Sequence, residues 1–221
     1  MNRRSLIFFI RSHDAKAVKT RLARSIGRLK AGCLYRCFVE DLLETMDRGD
    51  YEPIIFFDPP EAEQTVRLWL GEGRSYMPQT GNDLGERMML AFEWCFAEGF
   101  DKAILIGSDV PDLPAEHIEM AFHALSDRDA VIGPAMDGGY YLIGFNKDTF
   151  LAEAFYGPQW GGDSVCAETC RIMDKHNRSL SVLPAFRDID DDRDLESLLR
   201  EHRHSPFALS RTMQYILSWD R

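Results

Sequence analysis

Short apolar runs alternate along the chain with stretches whose apolar residues recur every three or four positions. Ser5–Ile10 is an unbroken apolar run after its serine and predicts a strand. Leu29–Arg48 follows with Cys33, Cys37, Leu42 and Met46 near helical spacing. Pro53–Phe57 predicts a second strand, Glu61–Leu70 a second helix and Ser75–Pro78 a short strand. Asp83–Glu98 predicts an amphipathic helix whose inner face is Leu84, Met88, Ala91, Phe92 and Cys95. Lys102–Gly107 is a short apolar strand of the kind that a parallel sheet buries on both faces. A helix begins after Pro114, since proline is tolerated in a first helical turn. Ala130–Gly133 and Tyr140–Phe145 predict two strands around Asp137-Gly138-Gly139. Ser164–Lys175 is a predicted helix, Ser179–Leu183 a strand, and the tail from about Asp194 is helical and polar.

Strand–helix alternation of this kind predicts an α/β fold with a mainly parallel, mixed sheet. No linker rich in glycine, serine or proline interrupts it. One domain over residues 1–221 is expected, with 194–221 as a C-terminal helical tail, since domains run to roughly 150 residues. Such a length buries a core without disulfide or metal staples. The run Leu6–Ile10 is too short for a signal-peptide core and no longer apolar segment spans a bilayer, so a soluble cytoplasmic protein is expected. Five cysteines agree with a reducing compartment. Cys33 with Cys37, and Cys166 with Cys170, stand four apart, as two metal ligands on one helix face would. Neither pair has a second Cys or His pair at zinc spacing, so buried thiols are expected instead. Phe207, Leu209, Met213, Ile216, Leu217 and Trp219 give the tail an apolar face for the core or a partner, the core being expected.

Charge narrows the function. Lys plus Arg is 26 against 36 Asp plus Glu, a net −10, which excludes a protein that coats duplex nucleic acid. A small anion in a locally basic pocket remains open. In open α/β sheets ligands sit beyond the carboxyl ends of the strands. Beyond the first strand lies Val18-Lys19-Thr20-Arg21-Leu22, where two cations flank a hydroxyl. That arrangement suits a di- or triphosphate, or is a solvated basic turn; it is no glycine-rich phosphate loop. Gly107-Ser108-Asp109 ends the apolar strand. Asp109 there either holds Mg²⁺ or Mn²⁺ bridging ligand phosphates or caps the next helix, a role equally open to Ser108 and Asp112. Asp137-Gly138-Gly139-Tyr140 is a hairpin turn or a place where a ligand approaches the backbone. In Asp188–Asp194 the aspartates form a solvated helix start or bring a second metal carboxylate, Asp190. Trp160-Gly161-Gly162-Asp163 is a turn with Asp163 as helix N-cap, its aromatic either core or ligand wall.

Taken in order, Lys19–Leu22, Gln79–Met88, Ile106–Leu113, Asp137–Gly144, Trp160–Gly161 and Asp188–Asp190 resemble a bacterial family of nucleotide-diphospho-sugar transferase-like proteins with the glycosyltransferase-A fold. More distantly the chain is similar to phospholactate guanylyltransferases. The resemblance implies a three-layer α/β/α architecture, a nucleotide pocket from the first half and acceptor contacts from the second. It places Lys19 and Arg21 on phosphates, and Asp109, with Asp190 as second carboxylate, on Mg²⁺ or Mn²⁺. It places Gln79, Gly81 and Asp83 near base or ribose, and Asp137, Gly138, Gly139 and Tyr140 near the acceptor; Thr20, Ser108 and Trp160 complete the expected substrate-binding set. The family's lead-in Lys-x-Pro-x-Pro-Gly-x-Val is replaced by Arg11-Ser12-His13-Asp14-Ala15-Lys16-Ala17-Val18, without prolines or glycine and with an extra cation at Lys16. The expected function is a metal-dependent transferase using a nucleotide-activated sugar donor and a small acceptor. One alternative is nucleotidyl transfer from a nucleoside triphosphate to a phosphorylated acceptor, with pyrophosphate released. Another, motivated by the altered lead-in, is a nucleotide-binding protein without turnover.

Overall fold

A computed structural model describes residues 3–13, 18–158 and 160–220. The lead-in positions 14–17, Lys16 among them, lie outside the described residues. The elements run β1 (Arg4–Arg11), α1 (Thr20–Ile26), α2 (Arg28–Met46), β2 (Glu52–Asp58), α3 (Glu63–Leu70), β3 (Ser75–Pro78), α4 (Leu84–Ala97) and β4 (Lys102–Ile106). They continue with α5 (Ala115–Ala124), β5 (Ala130–Pro134), β6 (Tyr140–Asn146), α6 (Val165–Lys175), β7 (Leu180–Val182), α7 (Asp192–His202) and α8 (Arg211–Leu217). The strands form one seven-stranded sheet in the order β3-β2-β1-β4-β6-β5-β7. Only β6 runs antiparallel to its neighbours β4 and β5, so the carboxyl ends of the other strands share one edge.

Alternation along each strand builds the two faces. Leu6, Phe8 and Ile10 of β1 point into a core shared with Tyr35, Val39 and Leu42 of α2 and Ile118 and Phe122 of α5. Ile7 and Phe9 point the other way, toward Met88, Phe92 and Cys95 of α4 and Met173 of α6. Every side chain of β4 is buried, as a central strand with both faces covered requires. This is the expected three-layer α/β/α arrangement.

A third cluster lies outside the sheet layers. Leu34 and Phe38 use a second face of α2 to meet Leu22 of α1, Leu195 and Leu198 of α7, and Ile216 of α8. The tail is therefore apolar on one side, with Met213 and Ile216 buried, while Leu209 and Leu217 face solvent. Serving two cores is why the apolar positions of α2 blur a single helical stripe. Four of the cysteines depart from expectation. Only Cys95 is buried, whereas Cys33, Cys37, Cys166 and Cys170 are half-buried, because their helix positions fall at the margins of the packed faces. The predicted helix from Glu61 opens with a 3₁₀ turn, Pro60–Ala62, and the basic segment after β1 runs into a short helix, Thr20–Ile26. Among the described residues no helix is long and apolar enough to cross a membrane.

Candidate active site

A cleft of about 900 Å³ opens along the carboxyl edge of β1 and β4. Lys19 stands at its floor. Its backbone adopts φ 49°, ψ 51° just before α1, a left-handed conformation that costs a non-glycine residue roughly 1–2 kcal/mol. That geometry turns the side chain inward, where it is only 4% exposed and its ammonium lies 2.6 Å from Asp109 Oδ1 and 3.1 Å from Asp190 Oδ1. Burial by itself would neutralise the amine, but the two carboxylates outweigh it and hold its pKa above the ordinary lysine value. Arg21 stays largely in solvent, with its guanidinium 3.6 Å from Asp190 Oδ2.

The loop after β4 is held from two sides. The Ile189 N–H donates to the Asp109 carbonyl at 2.8 Å, and His202 Nε2 lies 2.9 Å from Asp112 Oδ2. The segment leading into α7 and the end of that helix thus fix the loop carrying Asp109. Asp109 is not a helix cap. Pro114 occupies that place before α5 without any side-chain cap, and Asp112 bonds His202 instead.

The acidic run divides by function. Asp191 caps α7 and Asp194 completes a capping box with it. Asp188 and Asp190 line the cleft, on either side of the buried Ile189, as alternation in an extended segment dictates. Burial pushes the Asp188 carboxyl up to about 8, with Asp109, Asp137 and Asp190 adding repulsion that Lys19 only partly offsets. Among the described lining residues are six aspartates against four basic side chains. No three His, Cys, Asp or Glu side chains among the described residues converge closely enough to hold a metal ion by themselves.

The other expected residues separate into cleft wall and scaffold. Thr20, Ser108, Asp137, Gly139, Tyr140 and Trp160 line the cleft. Tyr140 stacks edge-on against Trp160 at 6.3 Å between centroids, and burial raises its phenol pKa. Gln79 also lines the cleft, but its amide nitrogen donates to the carbonyls of Ile10 and Phe56 and pins the ends of β1 and β2 together. Asp83 reaches the rim while capping α4 through the Glu86 N–H. Gly81 and Gly138 stand outside the wall. Gly138, at φ 94°, rests against the Asp163 backbone, where a Cβ would meet the carbonyl oxygen at 2.0 Å. Its own carbonyl accepts the Cys166 N–H, so Gly138 docks the β5–β6 turn onto the start of α6. Asp163 is not the N-cap of that helix. Ser164 precedes it, with its hydroxyl spent on Glu168.

The sequence pattern marks Asp188 within the Asp188–Asp190 motif without giving it a role of its own, and it marks neither Tyr35 nor the 3.0 Å pairing of Asp58 with the cleft-lining Arg87. For Asp188 a signal exists, the Asp-Ile-Asp alternation. Tyr35 sits mid-helix, and nothing local separates it from a core aromatic.

The family described as "Uncharacterized protein conserved in bacteria (DUF2064)" matches residues 42–162. A 2-phospho-L-lactate guanylyltransferase from Methanosphaerula palustris is 30% identical over 200 residues, 89% of this chain and 86% of that protein. A crystal structure of a candidate nucleotide-diphospho-sugar transferase from Desulfovibrio desulfuricans is 38% identical, with a TM-score of 0.96 over 100% of this chain and 96% of that one. A manganese complex of a Mycobacterium tuberculosis protein shares the fold at 13% identity and a TM-score of 0.53, covering 90% of this chain and 98% of that one.

Proposed function

We propose, for a chain that belongs to the DUF2064 family of bacterial proteins, transfer of a sugar from a nucleoside-diphospho-sugar to a small acceptor. Both the guanylyltransferase relative and the sugar-transferase-like structure support a transferase that uses a nucleotide. The observation that carries the proposal is the buried Lys19 ammonium between Asp109 and Asp190 at the carboxyl edge of the sheet. A cation fixed there, with Arg21 at the rim, binds and orients a diphosphate and stabilises charge that grows on it as the donor bond breaks. Asp137, Tyr140 and Trp160 also line the cleft and would contact the acceptor.

The cleft fits a divalent cation. Among the described residues its lining carries six aspartates against four basic side chains, an excess of negative charge that a divalent cation would offset. Asp109 and Asp190 would hold Mg²⁺ or Mn²⁺, the remaining ligands coming from phosphate and water, as is usual for Mg²⁺. When bound, such an ion supplies Lewis-acid stabilisation of the leaving diphosphate.

Nucleotidyl transfer is the second reading, favoured by the 30% identity to a guanylyltransferase. Incubation with nucleoside-diphospho-sugars plus small hydroxyl-bearing acceptors, and separately with nucleoside triphosphates plus phosphorylated hydroxy acids, each with magnesium, tests both. Release of nucleoside diphosphate supports the first reading, release of pyrophosphate supports the second, and release of neither refutes turnover.

A further inference from the structure

We infer that Tyr35 is a positioning residue that aims the Ser108 hydroxyl proton into the cleft, toward a phosphoryl oxygen of the bound nucleotide. The inference rests on the nucleotide-using transferase proposed above and adds a hydrogen-bond relay to it.

The relay starts from a group that has no choice of role. The backbone N–H of Arg11, at the end of β1, can only donate, and it lies 2.8 Å from the Tyr35 hydroxyl. The phenol oxygen therefore accepts there. Tyr35 is 2% exposed, and burial raises its pKa further above the ordinary tyrosine value, so the phenol keeps its single proton. Its other neighbour is Ser108 Oγ at 3.1 Å. A hydroxyl that accepts from a backbone amide becomes a better donor, which favours the direction Arg11 N–H to Tyr35 to Ser108. Ser108 then accepts from Tyr35, and its own proton is left to find an acceptor.

The protein supplies none among the described residues. The contact with Tyr35 is the one side-chain hydrogen bond Ser108 makes there. Ser108 is 8% exposed and lines the cleft beside Asp109, so this proton points at bound ligand or solvent. A buried hydroxyl donor on the floor of a phosphate site selects an acceptor oxygen. The relay also joins the ends of β1 and β4 through α2, so the hydroxyl is aimed before the ligand arrives. Preorganised donors act without reorganisation at the moment of binding.

A double-mutant cycle tests this, with calorimetric titration of pyrophosphate and of nucleoside diphosphates, with and without magnesium. Melting curves for each variant confirm folding at the titration temperature. Ser108→Ala is expected to weaken binding by about tenfold, in line with a lost hydrogen bond to a charged group. Tyr35→Phe is expected to weaken it at least about threefold, and the double variant no further than Ser108→Ala alone, because both remove one relay. Losses that multiply in the double variant, or unchanged binding by Ser108→Ala, overturn the inference and leave the transferase reading standing. If the wild-type protein binds neither pyrophosphate nor any nucleoside diphosphate, both fall together.

Discussion

Lys19 and Asp109 show how two ordinary residues acquire chemistry through position. The lysine's left-handed backbone and its two carboxylate partners, at 2.6 and 3.1 Å, hold a charge that burial alone would quench. Asp109 is 47% exposed on its other side and so remains open to a ligand. Asp109→Asn keeps the shape and removes the charge. In titrations of nucleotide the variant is expected to lose at least about tenfold in affinity with magnesium present and much less without it. Equal losses in both conditions would leave Asp109 a partner of Lys19 and nothing more. Arg21→Ala is expected to weaken nucleotide binding by a similar factor, the worth of one charge-assisted contact. Unchanged affinity would return Arg21 to the role of a solvated basic side chain.

Among the elements, α8 draws on a buried carboxylate of another helix in addition to its own N-cap, the Ser210 hydroxyl that accepts the Met213 N–H. Asp41 of α2 is 6% exposed and accepts the N–H groups of Arg211 and Thr212, each at 2.9 Å. These are orphan donors of the helix N-terminus, satisfied from another helix. Asp41→Ala strands both, which is expected to cost about 2 kcal/mol and lower the melting temperature by roughly 4–8 °C. Hydrogen exchange should localise the damage, with α8 amides losing protection ahead of the sheet. Protection unchanged in α8 would show that Met213 and Ile216 hold the helix without the cap.

For the whole molecule, carboxylates set the response to acid. Asp129, at the head of β5, accepts from the Ser179 N–H at 2.7 Å and its hydroxyl at 2.8 Å, tying the edge strand β7 to the sheet. The backbone bond from Ser179 holds the Asp129 pKa below its ordinary value, and Arg74 does the same for Asp47 through two contacts of 2.7 Å. An acid with a depressed folded pKa contributes stability above its unfolded pKa and loses it as pH falls through the folded one. Stability from these two groups is therefore complete above about pH 5 and drains away below about pH 4. Denaturation series between pH 6 and 3 on Asp129→Asn and Asp47→Asn should show a shallower acid slope than the wild-type protein. An unaltered slope would assign the acid response to other carboxylates.

Most of the layer plan was legible in order and spacing. Apolar runs such as Lys102–Ile106 have only one use, a strand buried on both faces, and α4 shows a single stripe because it serves a single core. Lys19, Asp109 and Asp190 were legible as candidates because strand ends and short motifs mark them locally. What local pattern does not carry is which residues meet. Lys19 and Asp190 are 171 positions apart, Tyr35 and Ser108 73 apart, and Asp112 and His202 90 apart. Nor does it carry the roles of glycines and caps: Gly138 serves the docking of a turn against Asp163, and Asp41 caps a helix far along the chain. Composition and periodicity decide elements because burial is a local property of a face. The site was decided only by tertiary structure, because hydrogen bonds and charge pairs depend on distances that chain order does not contain.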